Sequence, residues 1–307
     1  MFKKILFATT ASSTCDAAAN IAFDLAKKYD SLLNVFHVFG YPSRGFSPFV
    51  VDVRTGEKEI SDQDYTSWVE EEMKNTYTKQ LKEYEKVVIS TKAGIFHTEI
   101  LRTARKEDID LIVMGAHTRQ EDIGAARYRN VVGSTMQKVA KSAHCPVLIV
   151  SRPCVTCFWY FSNIVFCTDF SKASYSAFLF AYKVAKEIGC KLYIFHSLDM
   201  SSMHRGRVQT QEEIEEEIIN ARKKIKSLYV SQMKDFENYE IEIWEGIPYV
   251  EILKYSREKE VDLIVMAHHT REVNTEKAIL GSTVEQVILR AACPVASINR
   301  PDKVAIM

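Results

Sequence analysis

The sequence has no excess of charge of either sign: 40 Lys and Arg residues balance 40 Asp and Glu in a chain of 307. That balance removes the electrostatic reason to expect nucleic acid or an anionic membrane as the main partner. Long apolar runs are also missing. No stretch reaches the roughly 18 apolar residues that span a bilayer, and the opening MFKKILFATTASS is too short an apolar run for a signal peptide. A soluble protein of the cytoplasm is expected. Cysteines are few, odd in number and scattered, at Cys15, Cys145, Cys154, Cys157, Cys167, Cys190 and Cys293. In a reducing compartment such residues are small buried apolar groups. Cys154 and Cys157 have the C-x-x-C spacing of zinc and redox sites, but no second pair completes a zinc set, and the motif does not open a helix after a strand. Coincidence is the better reading. P-loop, G-x-S-x-G and H-E-x-x-H motifs are absent. No metal is expected beyond Mg that accompanies a nucleotide.

What is present is a repeat. The length suits two ordinary domains, and 47% hydrophobic residues suffice for two cores. ILFATTASS from Ile5 aligns with IVFCTDFSK from Ile164, which also pairs Ser12 with Ser171, Ala22 with Ala181, and His37 with His196. DLIVMGAHTR from Asp110 matches DLIVMAHHTR from Asp262. Gly133, Ser134 and Thr135 match Gly281, Ser282 and Thr283, and Cys145-Pro146-Val147 matches Cys293-Pro294-Val295. Matches in one order over whole halves indicate a tandem duplication. Residues 1–152 are read as the first copy, 153–161 as a linker and 162–307 as the second copy. The aromatic run Phe158, Trp159, Tyr160, Phe161 in the linker suits packing between copies.

Each copy reads β-α-β-α-β-α-β-α-β. ILFAT and NIVFCT are short apolar runs, as buried parallel strands require. Ala18, Ile21, Ala22, Leu25 and Ala26 form one helical stripe, and Ile214, Ile218, Ala221, Ile225 and Leu228 another on a long charged helix. Pro248, after Gly246 and Ile247, suits a first helical turn. The expected fold class is therefore α/β: two tandem, open, five-stranded parallel-sheet domains. The segment from Gly40 to Ile60 reads as irregular and partly apolar, able to cover a pocket or a partner surface.

Open sheets of this kind bind ligands beyond the carboxyl ends of their strands, where strand order reverses. Those ends are Thr9 and Thr10 with Met114 and Gly115 in copy one, and Thr168 and Asp169 with Met266 and Ala267 in copy two. The Gly-Ser-Thr tripeptides open a helix, whose unpaired N–H groups suit a phosphate. A plain helix cap is the bland alternative.

The Asp ending strand one, DLIVMG, the later Gly-Ser-Thr and the CPV before the last strand together resemble the universal stress protein family. The resemblance covers nearly the whole chain and implies its adenine nucleotide alpha hydrolase-like fold. In ATP-binding members the phosphates lie on a Gly-two-residues-Gly-nine-residues-Gly-Ser/Thr motif, and the strand-one Asp contacts the nucleoside. By this resemblance AMP, ADP or ATP is the ligand, and adenine contacts fall at Val38 and Ser197. The departures are specific. Copy one has Thr10 for the Asp and Thr118 for the second Gly, with fourteen residues before Gly133. Copy two keeps Asp169 but has Ala267 and Thr270 for the first two glycines, with ten residues before Gly281. Side chains at those positions obstruct backbone approach to a phosphate. AMP or ADP is then easier to hold than ATP.

Other residues stay open between readings. Arg127 and Arg129 offer a phosphate clamp or a solvated loop. The repeated His-Thr-Arg, at His117 and Arg119 and at His269 and Arg271, with His268 beside it, is a shared site feature or a relic of duplication. Function divides in the same way. One reading is a nucleotide-sensing stress protein. The alternative is an interaction module of the same fold that binds no nucleotide, or takes another small or lipid-like ligand. An enzyme is not expected beyond trace ATP hydrolysis. The family resemblance further implies an intramolecular pseudo-dimer through the last strands, PVLIV and PVASI. A homo-oligomer or protein partner is compatible with either reading.

Overall fold

The computed structural model describes residues 1–40, 49–51, 58–60, 63–116, 134–151, 161–199, 210–267 and 282–298. The chain divides into two compact units, one ending at Pro153 and the other beginning at Cys154. Cys154, Cys157, Phe158, Trp159 and Tyr160 lie outside the described residues.

In the first unit, strands β1 (Lys4–Thr9), β2 (Leu32–Gly40), β5 (Val87–Gly94), β6 (Leu111–Gly115) and β7 (Val147–Val150) form a parallel sheet in the order β7-β6-β1-β2-β5. Helices α1 (Asp16–Tyr29), α2 (Gln63–Thr76), α3 (Thr78–Glu83), α4 (Phe96–Lys106) and α5 (Ser134–Ser142) connect them. The second unit repeats the plan. Its strands β8 (Asn163–Cys167), β9 (Lys191–Leu198), β10 (Tyr239–Glu245), β11 (Leu263–Ala267) and β12 (Val295–Ile298) run in the order β12-β11-β8-β9-β10, all parallel. Its helices are α6 (Lys172–Ile188), α7 (Gln211–Leu228), α8 (Pro248–Glu258) and α9 (Ser282–Arg290). The expected fold class is the observed one. In both units the order reverses between the first strand and the fourth, β1 beside β6 and β8 beside β11, which sets the ligand edge.

The strands are apolar throughout because both faces are covered: Ile5, Leu6 and Phe7, and likewise Ile164, Val165 and Phe166, have no exposed surface. The Asp of each DLIVM run has a separate task. Asp110 accepts the backbone N–H groups of Lys3 and Lys4 (2.8 and 2.9 Å), and Asp262 those of Ser162 and Asn163 (2.8 and 3.1 Å). Each carboxylate thus ties the start of the fourth strand to the start of the first.

The helical stripe of α1 is buried as expected: Ala18, Ile21, Ala22, Leu25 and Ala26 all face the core. The stripe of α7 needs a correction. Ala221 and Ile225 are buried, but Leu228 is exposed and the next residue, Tyr229, fills the core instead. The long helix of copy one is likewise interrupted at Tyr77, between α2 and α3, where the ring is buried. The segment from Gly40 to Ile60 is not wholly irregular, because β3 (Phe49–Val51) and β4 (Lys58–Ile60) pair antiparallel within it. Three-residue strands are too short to show a period of two.

Candidate ligand site at the carboxyl ends of the strands

A buried threonine, the last residue of β1 and the first after β8, stands at the carboxyl end of each unit's first strand with the same set of partners. The hydroxyl of Thr9 lies 2.6 Å from that of Tyr77 and accepts the N–H of Ala11 (2.9 Å). The hydroxyl of Thr168 lies 2.6 Å from that of Tyr229 and accepts the N–H of Phe170 (3.0 Å). The carbonyls are used as well: Nδ1 of His37 is 2.9 Å from the oxygen of Thr9, and Nδ1 of His196 is 2.8 Å from that of Thr168. A carbonyl oxygen only accepts, so both Nδ1 atoms carry the proton. Burial pushes the Tyr77 and Tyr229 phenols above their ordinary range, which keeps both hydroxyls neutral. Ala11 and Phe170 take left-handed backbone angles (φ 54° and 62°), so the chain turns sharply off the strand. For a bulky residue such as Phe170 that conformation is uncommon.

The residue before that turn differs between units. Asp169 is exposed at the carboxyl end of β8. Its Oδ1 accepts the N–H of Ser171 (2.9 Å) and the hydroxyl of Ser174 (2.5 Å). Ser171 in turn caps α6 by accepting the N–H of Ser174 (3.2 Å). In the first unit Thr10 replaces the carboxylate. Its hydroxyl meets those of Ser12 (2.8 Å) and, through it, Thr14 (2.8 Å), with Cys15 Sγ at 3.4 Å. This is a neutral chain, and the α1 N-terminus has no side-chain cap.

Phe170 packs its ring 4.4 Å from that of His196, and the Lys224 ammonium stands 4.4 Å from the Phe170 ring centre. The corresponding residues of copy one are Ala11 and Glu72. Burial, then the nearby Lys224 cation, hold the His196 imidazole below its ordinary pKa, against the opposing pull of the Thr168 carbonyl and Asp169.

Strand pairing brings the fourth-strand residues to the same edge. Met114 is in register with Ala8, and Met266 with Cys167; both methionines are buried. Gly115 faces the turn after β1: a Cβ there would lie 3.4 Å from the Thr14 carbonyl oxygen and 3.7 Å from Cys15 Sγ. These are ordinary van der Waals distances, so packing against its own chain does not by itself require this glycine. In copy two the following segment is α-helical from Lys172, whereas in copy one residues 13–15 form a tighter 3-10 turn before α1.

Val38 and Ser197 lie on the neighbouring strands. Val38 is buried and in register with Lys92. Ser197 is half-buried, in register with Trp244, and its hydroxyl donates to the Gly246 carbonyl (3.2 Å). Ser134 and Ser282 are the first residues of α5 and α9, followed by half-buried Thr135 and Thr283. Gly133, Gly281, Thr270, Thr118, His117, His268, His269, Arg119, Arg271, Arg127 and Arg129 lie outside the described residues. The structure therefore brings Thr10, Val38, Met114 and Gly115 to one edge, and Asp169, Ser197, Met266 and Ala267 to the other.

Tyr77, Tyr229, Phe170 and Lys224 were not among the residues expected at the site. The two tyrosines share the spacing that relates Asp110 to Asp262, which is the one signal in the sequence that finds them. Among the described residues, no group of three or more His, Cys, Asp or Glu is placed to hold a metal ion, and no helix is long and apolar enough to cross a membrane.

Comparison with known proteins agrees with this fold. The profile of the universal stress protein family matches residues 1–151 and again 161–298. One universal stress protein of Methanocaldococcus jannaschii is 32% identical over 145 residues, 47% of this chain and 85% of its own. Another from the same organism is 30% identical over 162 residues, 50% of this chain and 96% of its own. A solved universal stress protein from Archaeoglobus fulgidus has a similar fold over 97% of both chains, with a TM-score of 0.61 and 22% identity.

Proposed function

Because the chain belongs to the universal stress protein family along both of its halves, we propose that it is a cytoplasmic stress-response protein that binds an adenine nucleotide in its second unit. The observation that carries this reading is Asp169. Only the second unit has a carboxylate at this place, exposed at the strand end and fixed by Ser171 and Ser174. A fixed carboxylate is a strong acceptor for the hydroxyls of a ribose. Alanine and threonine in place of the first two glycines favour AMP or ADP over ATP. Magnesium arrives with the nucleotide, and ATP turnover is at most a trace activity.

The first unit suits the other reading, a module that binds no nucleotide and acts through its surfaces. Thr10 supplies no charge, and its hydroxyl is paired with that of Ser12.

The test has two steps. Gently purified protein is denatured and the supernatant is searched by mass spectrometry for adenine nucleotides. AMP, ADP and ATP are then titrated by calorimetry into the wild type and Asp169→Asn, which keeps an acceptor for Ser171 and Ser174. Binding that weakens in the variant supports the second unit as the site. Binding that survives unchanged moves the site to the first unit. No nucleotide and no heat refutes the reading and leaves the interaction module.

A further inference from the structure

The two units share the Gly-Ser-Thr tripeptide and the fourth-strand methionine but have diverged at other positions of the ligand edge. Asp169 faces Thr10, Ala267 faces Gly115, and Lys224 faces Glu72 in the alignment of copies. One arrangement has not diverged. In both units a tyrosine from the end of the long charged helix reaches a threonine on the first strand, with the same 2.6 Å separation. In both, that threonine accepts the N–H two residues on, and its carbonyl accepts the Nδ1–H of the second-strand histidine.

We infer that Tyr77 and Tyr229 are positioning residues of the ligand edge, each holding the residue that follows its threonine. Thr9 and Thr168 are buried, so neither they nor the tyrosines behind them form the exposed rim of the site. The threonine hydroxyl sets where the Ala11 or Phe170 amide lies, and its carbonyl is fixed from the side by His37 or His196. The residue between those two anchors, Thr10 or Asp169, is then held at both ends. Tyr229 is the C-cap residue of α7, so it ties the end of that helix to the turn. Without the phenol hydroxyl the threonine side chain loses the bond that fixes its rotamer, and the turn after it loosens.

For ligand affinity this inference rests on the nucleotide reading of the second unit; for the turn itself it does not. Two measurements on the full chain separate the cases. The first is amide hydrogen exchange, which needs no ligand. Tyr229→Phe is expected to speed exchange of the Phe170 amide by about ten-fold, the worth of one net hydrogen bond. Exchange inside α6 stays as in the wild type, and Thr168→Ser, which keeps the hydroxyl, preserves the slow rate. Tyr77→Phe does the same at Ala11. An unchanged Phe170 amide in Tyr229→Phe overturns the positioning role whatever the ligand. If Tyr229→Phe does not fold, Tyr77→Phe, the same change in the first unit, is read at the Ala11 amide and decides the role there.

The second measurement is the calorimetric titration with AMP, ADP and ATP. Tyr229→Phe is expected to weaken binding by about five- to ten-fold, and to add nothing in an Asp169→Asn background, because it acts through Asp169. Full additivity, or wild-type affinity in Tyr229→Phe alongside a weakened Asp169→Asn, overturns the proposal and leaves the nucleotide reading standing. Absence of binding in the wild type refutes the nucleotide reading, and hydrogen exchange alone then decides the positioning role.

Discussion

The side chain of Glu251 lies so close against Gly246 that a Cβ built on the glycine would sit 2.8 Å from its Oε1 and 2.9 Å from its Cγ. Glu99 and Gly94 repeat the contact in the first unit, with the Cβ position 2.6 Å from Cγ. Both glutamates are buried and lie in the first turns of α4 and α8. The glycine therefore leaves the space in which a glutamate closes the strand-to-helix turn.

Gly246→Ala meets two obstacles, the crowding and a backbone angle of φ 140° that side chains rarely adopt. The expected cost is about 2 kcal/mol or more, read as a lowered urea midpoint. Adding Glu251→Ala relieves the crowding but not the backbone angle, so it restores only part of the midpoint. Full restoration would show that the angle is harmless there.

Asp262 holds two backbone N–H groups at the start of β8. Asp262→Ala is expected to cost about 1–2 kcal/mol, and Asp262→Asn, whose amide oxygen can accept both N–H groups as Oδ2 does, less than about half of that. Equal losses in the two variants, by denaturant titration, would mean that the charge rather than the bonds holds the strands.

Acid acts on the second unit through His196. Its pKa is lowered in the fold, first by burial and then by Lys224. The unfolded chain thus takes up the proton more readily. This contribution to stability is complete above about pH 6.5 and is lost as pH falls from there towards the lower folded value. Urea midpoints measured between about pH 7.5 and 5.5 should drop more steeply in the wild type than in His196→Asn. Parallel slopes would remove His196 from the account.

Much of this was legible in the sequence. The repeat, the alternation of strands and helices, and the α1 stripe follow from ordered matches and apolar spacing, which local pattern alone determines. The remainder depends on contacts made in three dimensions. Leu228 and Tyr229 are adjacent, and periodicity selects the former while the reach to Thr168 selects the latter. Asp169 reads as a ligand contact, and the structure adds that it also anchors the start of α6 through Ser171 and Ser174.

The paired threonine and tyrosine also delimit what each copy is free to change. Thr9 and Tyr77 are 68 residues apart, and Thr168 and Tyr229 are 61. The shortfall of the second copy before its third strand therefore falls wholly inside the span that this bond closes, where the first copy carries the β3–β4 pair. Such a span works as a cassette. Its two ends are clasped together by a hydroxyl pair, so segments of other lengths can be grafted between β2 and α2, or between β9 and α7, while the edge beside them keeps its shape.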